Sequence, residues 1–267
     1  REMENSYEKD LSRIDTHTHL HVKRFNRERG NILQWMQDTG MRNIEIPIEY
    51  DSNFLMREKL AGFENARFAA GVHPTRVSKI TAKDARKQLE KLAVYPDTVA
   101  IGETGLDFHV ATLDTEFVNQ MEDWFEYFLD LADQVNLPVI LHTREADERI
   151  LEILKKKRRQ FKGVIHCFQG DIELANQYME LGFHLGIGGS VTYTDRCSAL
   201  RKAMAAVPVE RIVLETDCPY LTPEPLEGYN TPKNLPLIAG MVAELKGVDI
   251  IYVKEKTAHN AKKLFGL

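Results

Sequence analysis

The chain holds only three cysteines, Cys167, Cys197 and Cys218, an odd number with no CxxC spacing. That excludes a disulfide framework and a zinc ribbon, and it fits reduced thiols. No run approaches the roughly 18 apolar residues that a membrane-spanning helix needs. The first segment, Arg1 to Arg13, is charged where a secretory signal carries an apolar core. A cytoplasmic protein with no membrane partner is the expectation. An excess of positive charge is missing too: 35 Lys and Arg against 40 Asp and Glu leave a net charge of -5. This argues against nonspecific coating of nucleic acid but leaves room for a local basic site. Linkers rich in Pro, Gly and Ser, composition breaks and fixed-period repeats are all absent, so residues 1–267 are expected to form one domain. The 43% apolar content excludes disorder as the main state.

What is present is an alternation. Short β-branched or apolar runs bounded by turn residues occur at Arg13 to His17, Arg42 to Ile48, Arg67 to Val72, Val99 to Glu103, Pro138 to His142, Gly163 to Cys167, Phe183 to Ile187 and Arg211 to Thr216. Helical patterns lie between them. The clearest is Leu113 to Val135, where Phe117, Met121, Phe125, Phe128, Leu131 and Val135 recur at three- and four-residue steps. About eight strand-helix repeats in a chain of this length predict an α/β fold, a closed (β/α)8 barrel, rather than an open sheet. Thr231-Pro232 reads as an N-cap followed by Pro in the first helical turn. An extra C-terminal helix is expected from near Asp249 to Leu264.

The working face of such a barrel is the carboxyl end of its strands. Here the strand ends are His, Asp and Glu: Asp15-Thr16-His17-Thr18-His19 on the first, Glu103 to Asp107 on the fourth, His142 on the fifth, His166 on the sixth and Glu215-Thr216-Asp217 on the eighth. Strand alternation aims His17 and His19 the same way, where two imidazoles can share a metal. Taken singly, each His is as well explained by a hydrogen bond to backbone, and each acid by a helix cap. Converging from five strand ends, His17, His19, Glu103, His142, His166 and Asp217 would be costly to desolvate without a compensating cation. Six N/O donors exceed one tetrahedral zinc and fall short of two full shells. This points to two divalent ions bridged by a carboxylate, Glu103, with Asp217 as both ligand and proton acceptor for a water nucleophile. Mixed ligands of this kind accept Zn, Mn, Mg, Ni or Fe. No GxSxG elbow and no GxGxxG is present, and Gly186 to Ser190 lacks the Lys of a phosphate-binding loop. That glycine run reads as a tight turn.

The ordered set DTHTHL, GVHP, GETGLDF, LHTR, HCFQG, ETDCPYLTP and HNAKKLFGL resembles the TatD family of metal-dependent hydrolases, within the amidohydrolase superfamily of TIM barrels. The resemblance spans nearly the whole chain. It implies a binuclear divalent-metal site and a metal-dependent deoxyribonuclease of exonuclease character, with single strands or ends of DNA as substrate. It further implies His17 and His19 on one ion, His142 and His166 on the other, Glu103 bridging, and Asp217 as ligand and base. By the same resemblance His73 of GVHP faces substrate. The chain departs from the family pattern at Glu227-Gly228, before Asn230, where relatives carry an Arg-Gly pair.

Candidate substrate contacts are His73, Arg144 and Asn230, with Arg76 and Lys233 as further cations after strands. The loop His21 to Arg29 is basic with one aromatic, Phe25; it reads either as a hold for a strand's phosphates and a base or as a solvated helix entry. Lys155 to Arg159 is the louder basic run. It ends a helix that travels away from the working face, so its cations meet the helix terminus instead. Cys167 and Cys218 alternate away from the site and read as packing residues. Two functions follow: a DNase or phosphodiesterase, or, given Glu227 and the acidic balance, a hydrolase of a small phosphodiester, ester or amide with no DNA activity. A non-catalytic barrel would leave an intact ligand set idle.

Overall fold

A computed structural model describes residues 13–267 of the chain. Apart from Arg13, the charged segment from which a missing secretory signal was expected lies outside the described residues. Eight parallel strands run in sequence order around one sheet: β1 (Ile14–Thr18), β2 (Arg42–Glu45), β3 (Ala66–Ala70), β4 (Thr98–Asp107), β5 (Val139–Arg144), β6 (Gly163–Ile165), β7 (Phe183–Ile187) and β8 (Ile212–Leu214). The ring closes where Thr18 bridges Cys218 in parallel and Thr16 Oγ1 donates to the Leu214 carbonyl at 3.1 Å. The expected (β/α)8 barrel is therefore the observed fold.

Helices α1 (Arg29–Thr39), α2 (Ser52–Lys59), α3 (Ala85–Ala93), α4 (Thr115–Val135), α5 (Asp147–Lys156), α6 (Ile172–Glu180), α7 (Ser198–Ala206) and α8 (Leu235–Lys246) follow the strands in turn. Helix α4 starts where Asp114 accepts from the Phe117 N–H, satisfying one orphan donor of its first turn. Its apolar stripe buries Met121, Phe125 and Phe128. Thr231 does not cap with its side chain; it precedes a 3-10 turn, Pro232–Asn234, that leads into α8. Among the described residues no helix is long and apolar enough to cross a membrane.

The extra helix, α9 (Ile250–Phe265), has a defined task. Its Ala258, Ala261, Leu264 and Phe265 join Ile14, Ile44, Ala100, Ile140, Val164 and Val213 in one buried cluster, which plugs the barrel from the end opposite the strand termini. Asn260 ties α9 down by donating to the carbonyls of Val209 and Ile212, both at 2.8 Å. The opposite mouth is thereby left as the open one.

β6 and β8 are shorter than the sequence pattern predicts. His166, Cys167 and Asp217 thus lie just past the strands, and Cys167 (φ 49°) and Asp217 (φ 58°) adopt left-handed backbone. Strand alternation does not govern Cys167 there, and it is half-buried beside Gln169, whose amide donates to its sulfur at 3.2 Å. Cys218 is buried in the core as expected.

On β7, burial lowers His184 from its ordinary 6.5 to about 4, with the charges of Arg211 and Lys263 adding to the effect against a backbone contact at Glu210. The unfolded chain therefore takes up the proton first, and stability is lost as pH falls from 6.5 toward 4. The wild-type urea midpoint should drop across that window, and His184→Gln should flatten the drop; an unchanged profile in the variant would contradict this assignment.

Candidate metal centre

Two irregularities in strand register aim the central donors. Between Asp15 and Thr18, β1 carries one residue more than β2, and between Gly102 and Thr104, β4 carries one more than β5. Such bulges re-aim a side chain out of simple alternation. His17 lies in the first bulge and Glu103 in the second. Past β8, the Asp217 N–H donates to the His17 carbonyl at 2.9 Å, and Asp15 accepts from the N–H and hydroxyl of Thr216. Asp15 thus sews the loop bearing Asp217 to the strand bearing His17. Burial raises Asp15 to about 7 against the pull of these hydrogen bonds.

The six donors expected from the sequence come together. Glu103 Oε2 lies 3.3 Å from His17 Nε2, while Glu103 Oε1 lies 2.8 Å from His142 Nδ1 and 3.7 Å from His166 Nε2. Asp217 Oδ1 faces His19 Nε2 at 3.1 Å and His17 Nε2 at 3.6 Å, and its Oδ2 faces His166 Nε2 at 3.8 Å. Each carboxylate therefore divides its two oxygens between different imidazoles. The sets His17, His19, Asp217 and Glu103, His142, His166 each have ligand atoms within 4.8 Å of one another, as do His17, His166, Glu215 and His73, Asp107, His142.

A ring of groups behind the donors orients them. The His19 Nδ1 sits 2.8 Å from the Ile46 carbonyl, so Nδ1 carries the proton and Nε2 offers its lone pair to the cavity. Glu215 lies 2.9 Å from His166 Nδ1, and Asp107 lies 2.9 Å from His142 Nε2. Carboxylates behind metal-binding imidazoles are a recurring device for fixing ring orientation and raising ligand basicity. Gly186 makes room for one of them: a Cβ there would sit 2.5 Å from Glu215 Oε2. The glycine run thus begins inside β7, where Gly186 serves close packing under the site, and continues into a 3-10 turn, Gly189–Thr192. These supporting acids escaped the motif reading, although Asp107 is at the same-face step i+4 from Glu103 on β4, and that spacing is a usable signal.

The electrostatics call for cations. Burial would push Glu103 up, but His166, His73, His17 and the hydrogen bond to His142 outweigh it and hold the carboxyl well below its ordinary range. Asp217 is likewise held low, against burial, by His166 and His19. Burial opposes the charged form of His166, yet Glu215, Glu103 and Asp217 raise it to about 10. Burial and the neighbouring His166 lower His17, whose ring stacks on His166 at 3.5 Å between centroids. Both ring nitrogens of His17 are buried without a hydrogen-bond partner among the described residues. Orphaned buried imidazole nitrogens beside ionised carboxylates are the donor chemistry of a divalent-metal site.

The open space above these donors is a cavity of about 220 Å³, walled also by Ile48, His73, Thr75, Arg76 and Tyr220. His73 lines it, 3.6 Å from Glu103, and burial lowers its pKa to about 3. Arg144 does not wall it; it ends β5 with an exposed side chain. Asn230 is a correction: it is fully buried, its amide donates to the carbonyls of Thr216 and Tyr220 at 2.9 Å, and its oxygen accepts from Thr231 and Asn234. With both ends of its amide occupied it holds the loop carrying Asp217 and Tyr220 and has no group left for a ligand. Lys233 lies over the Trp35 ring.

Two residues of the basic loop after β1 are also occupied structurally, whereas Lys23, Arg24 and Arg27 are exposed. Phe25 is fully buried, and the Arg29 guanidinium donates to the carbonyls of Leu20, His21 and Val22. Neither can clasp a nucleotide. Within Lys155 to Arg159, Lys157 pairs with Asp130 and Arg159 with Asp133 on α4.

Comparison with known proteins agrees with this geometry. The profile of the family described as TatD related DNase matches residues 14–266. Relatives include a 3'-5' ssDNA/RNA exonuclease TatD of Pantoea ananatis, 40% identical over 74% of this chain and 77% of its own. Another is an uncharacterized metal-dependent hydrolase, YabD, of Bacillus subtilis, 31% identical over 94% of this chain and 98% of its own. Among solved structures, the TatD homolog YJJV of Escherichia coli superposes with a TM-score of 0.85 at 28% identity, covering 96% of this chain and 99% of the other.

Removing the charge behind His166 tests the support ring. Glu215→Gln should weaken Mn or Zn binding about 10–100-fold by titration calorimetry, with the thermal unfolding midpoint little changed. Equal metal affinity in the variant would show that Glu215 does not position His166.

Proposed function

This chain belongs to the TatD related DNase family of metal-dependent hydrolases, and from that premise we propose that it cleaves phosphodiester bonds at the ends of single-stranded nucleic acid, most directly DNA, as one domain over residues 1–267. The observation that carries this reading is the division of the Glu103 oxygens, Oε2 toward His17 and Oε1 toward His142 and His166. A carboxylate so placed suits a bridge between two divalent ions, one taken by His17, His19 and Asp217 and the other by Glu103, His142 and His166. Zn, Mg, Mn and Ni all accept such ligands. Bound there, the ions supply positive charge that acidifies water and stabilises the charge developing on phosphate.

The chain's own residues do the remainder. Asp217, whose Oδ2 lies 3.8 Å from His166, takes the proton of the attacking water. His73, held by accepting the Thr75 N–H at 3.2 Å, and Arg76 face the phosphate from the cavity wall. Tyr220, half exposed at that wall, offers a ring for the terminal base. The relative named as a 3'-5' ssDNA/RNA exonuclease supports this substrate class. We place the reaction in the cytoplasm, where the three free cysteines stay reduced. Glu227, exposed where the family pattern carries Arg, favours the second reading, a small phosphodiester, ester or amide as substrate.

The test is hydrolysis of a single-stranded oligonucleotide by chelator-stripped protein given Mg, Mn or Zn. Wild type should release nucleotides with metal only, and Asp217→Ala should fall by about 10²–10⁴-fold. Inert protein with metal demonstrably bound, together with turnover of small chromogenic esters, would move the assignment to the second reading.

A further inference from the structure

Arg76 belongs to two cavities. It walls the 220 Å³ space over the metal donors, and it also walls a second space of about 200 Å³ together with Glu49, Tyr50, Asp51 and Lys79. The two spaces meet at its side chain. Arg76 and Lys79 lie on the 3-10 helix Pro74–Lys79, which His73 caps by accepting the Thr75 N–H. In a 3-10 helix residues three apart are eclipsed, and at about 2 Å of rise per residue they are separated by about 6 Å along the axis. The two cations therefore form a short ladder that starts at the metal cavity and leads away from it. That step is commensurate with the spacing of successive phosphates along an extended nucleic-acid strand.

The occupants of the second cavity leave this ladder available. The one ion pair of Arg76 among the described residues is a 3.7 Å contact with Glu49, between two partly exposed groups, and it is weak. The Arg76 Nε has no hydrogen-bond partner among the described residues. Lys79 is exposed and has no ion pair among the described residues. Glu49 and Asp51 line the same space and repel a phosphate, which confines a strand to the Arg76–Lys79 side.

We propose that this second cavity is a subsite for the phosphate next along the strand from the scissile one, bridged by Arg76 and Lys79. The ligand class is a nucleic-acid strand of three or more nucleotides, and the subsite sets a preference for strands over dinucleotides. It rests on the nuclease reading of the metal centre given above, and it adds a length requirement that the metal centre alone does not impose.

The experiment compares initial rates of metal-loaded wild type, Lys79→Ala and Glu49→Gln on thymidine dinucleotide and single-stranded thymidine trinucleotide over a salt series. Wild type should prefer the trinucleotide in kcat/KM. Lys79→Ala should cut the trinucleotide-to-dinucleotide ratio about tenfold and flatten the log-log salt dependence for the trinucleotide by about 0.7, the loss of one single-strand phosphate contact. Glu49→Gln, by freeing Arg76, should raise the ratio. A wild type that cleaves both lengths equally, or a Lys79→Ala protein that loses both rates in parallel, overturns the subsite and leaves the nuclease reading standing. Failure to cleave either substrate overturns both.

Discussion

Glu103 and Asp217 bring negative charge to the floor of a cavity where water cannot solvate it, and they are surrounded there by four imidazoles that cannot all be protonated at once. Glu103 is almost fully buried, and both carboxyls are held ionised against that burial by the histidines around them. Isolated carboxylates in such a setting would protonate. Divalent metal bound by these residues would resolve the conflict, because it would satisfy the acids and take up the neutral imidazole lone pairs together. The rest of the upper barrel is arranged to keep this charge cluster from relaxing into ordinary hydrogen bonds.

That arrangement has two tiers. The inner tier comes from strand bulges at His17 and Glu103, where one residue more than on the neighbouring strand re-aims the side chains. The outer tier consists of Glu215, Asp107, the Ile46 carbonyl and Asp15, none facing the cavity, each fixing a donor or the loop that carries one. Helix α9 closes the far end with apolar side chains, so the single polar mouth coincides with the strand termini. Stability at one end and chemistry at the other is the division of labour that this barrel architecture permits.

Much of this was legible in the sequence because strand ends and donors coincide. The eight strand runs, the α4 stripe from Met121 to Phe128 and the six donors follow from periodicity and residue type. The misreadings have a common physical origin. Cys167 lies past a short strand in left-handed backbone, where alternation no longer predicts direction. Asn230, a candidate substrate contact in the sequence, has as its partners carbonyls from a loop ten or more residues away, a pairing that only the folded chain reveals. For the loop His21 to Arg29, which the sequence leaves open between a hold for phosphates and a helix entry, the fold commits Phe25 to packing and Arg29 to a carbonyl clamp. The support role of Glu215 was hidden for the converse reason: its partner His166 is far away in sequence, and the space it needs is made by the missing side chain of Gly186.

The central claim, that the divided carboxylates exist to hold two cations, is tested most directly by anomalous diffraction from crystals soaked in Mn after chelator treatment. The account predicts two anomalous peaks in the cavity, one among His17, His19 and Asp217 and one among Glu103, His142 and His166, with Glu103 between them. A single peak, or a peak confined to His73, Asp107 and His142, would contradict it.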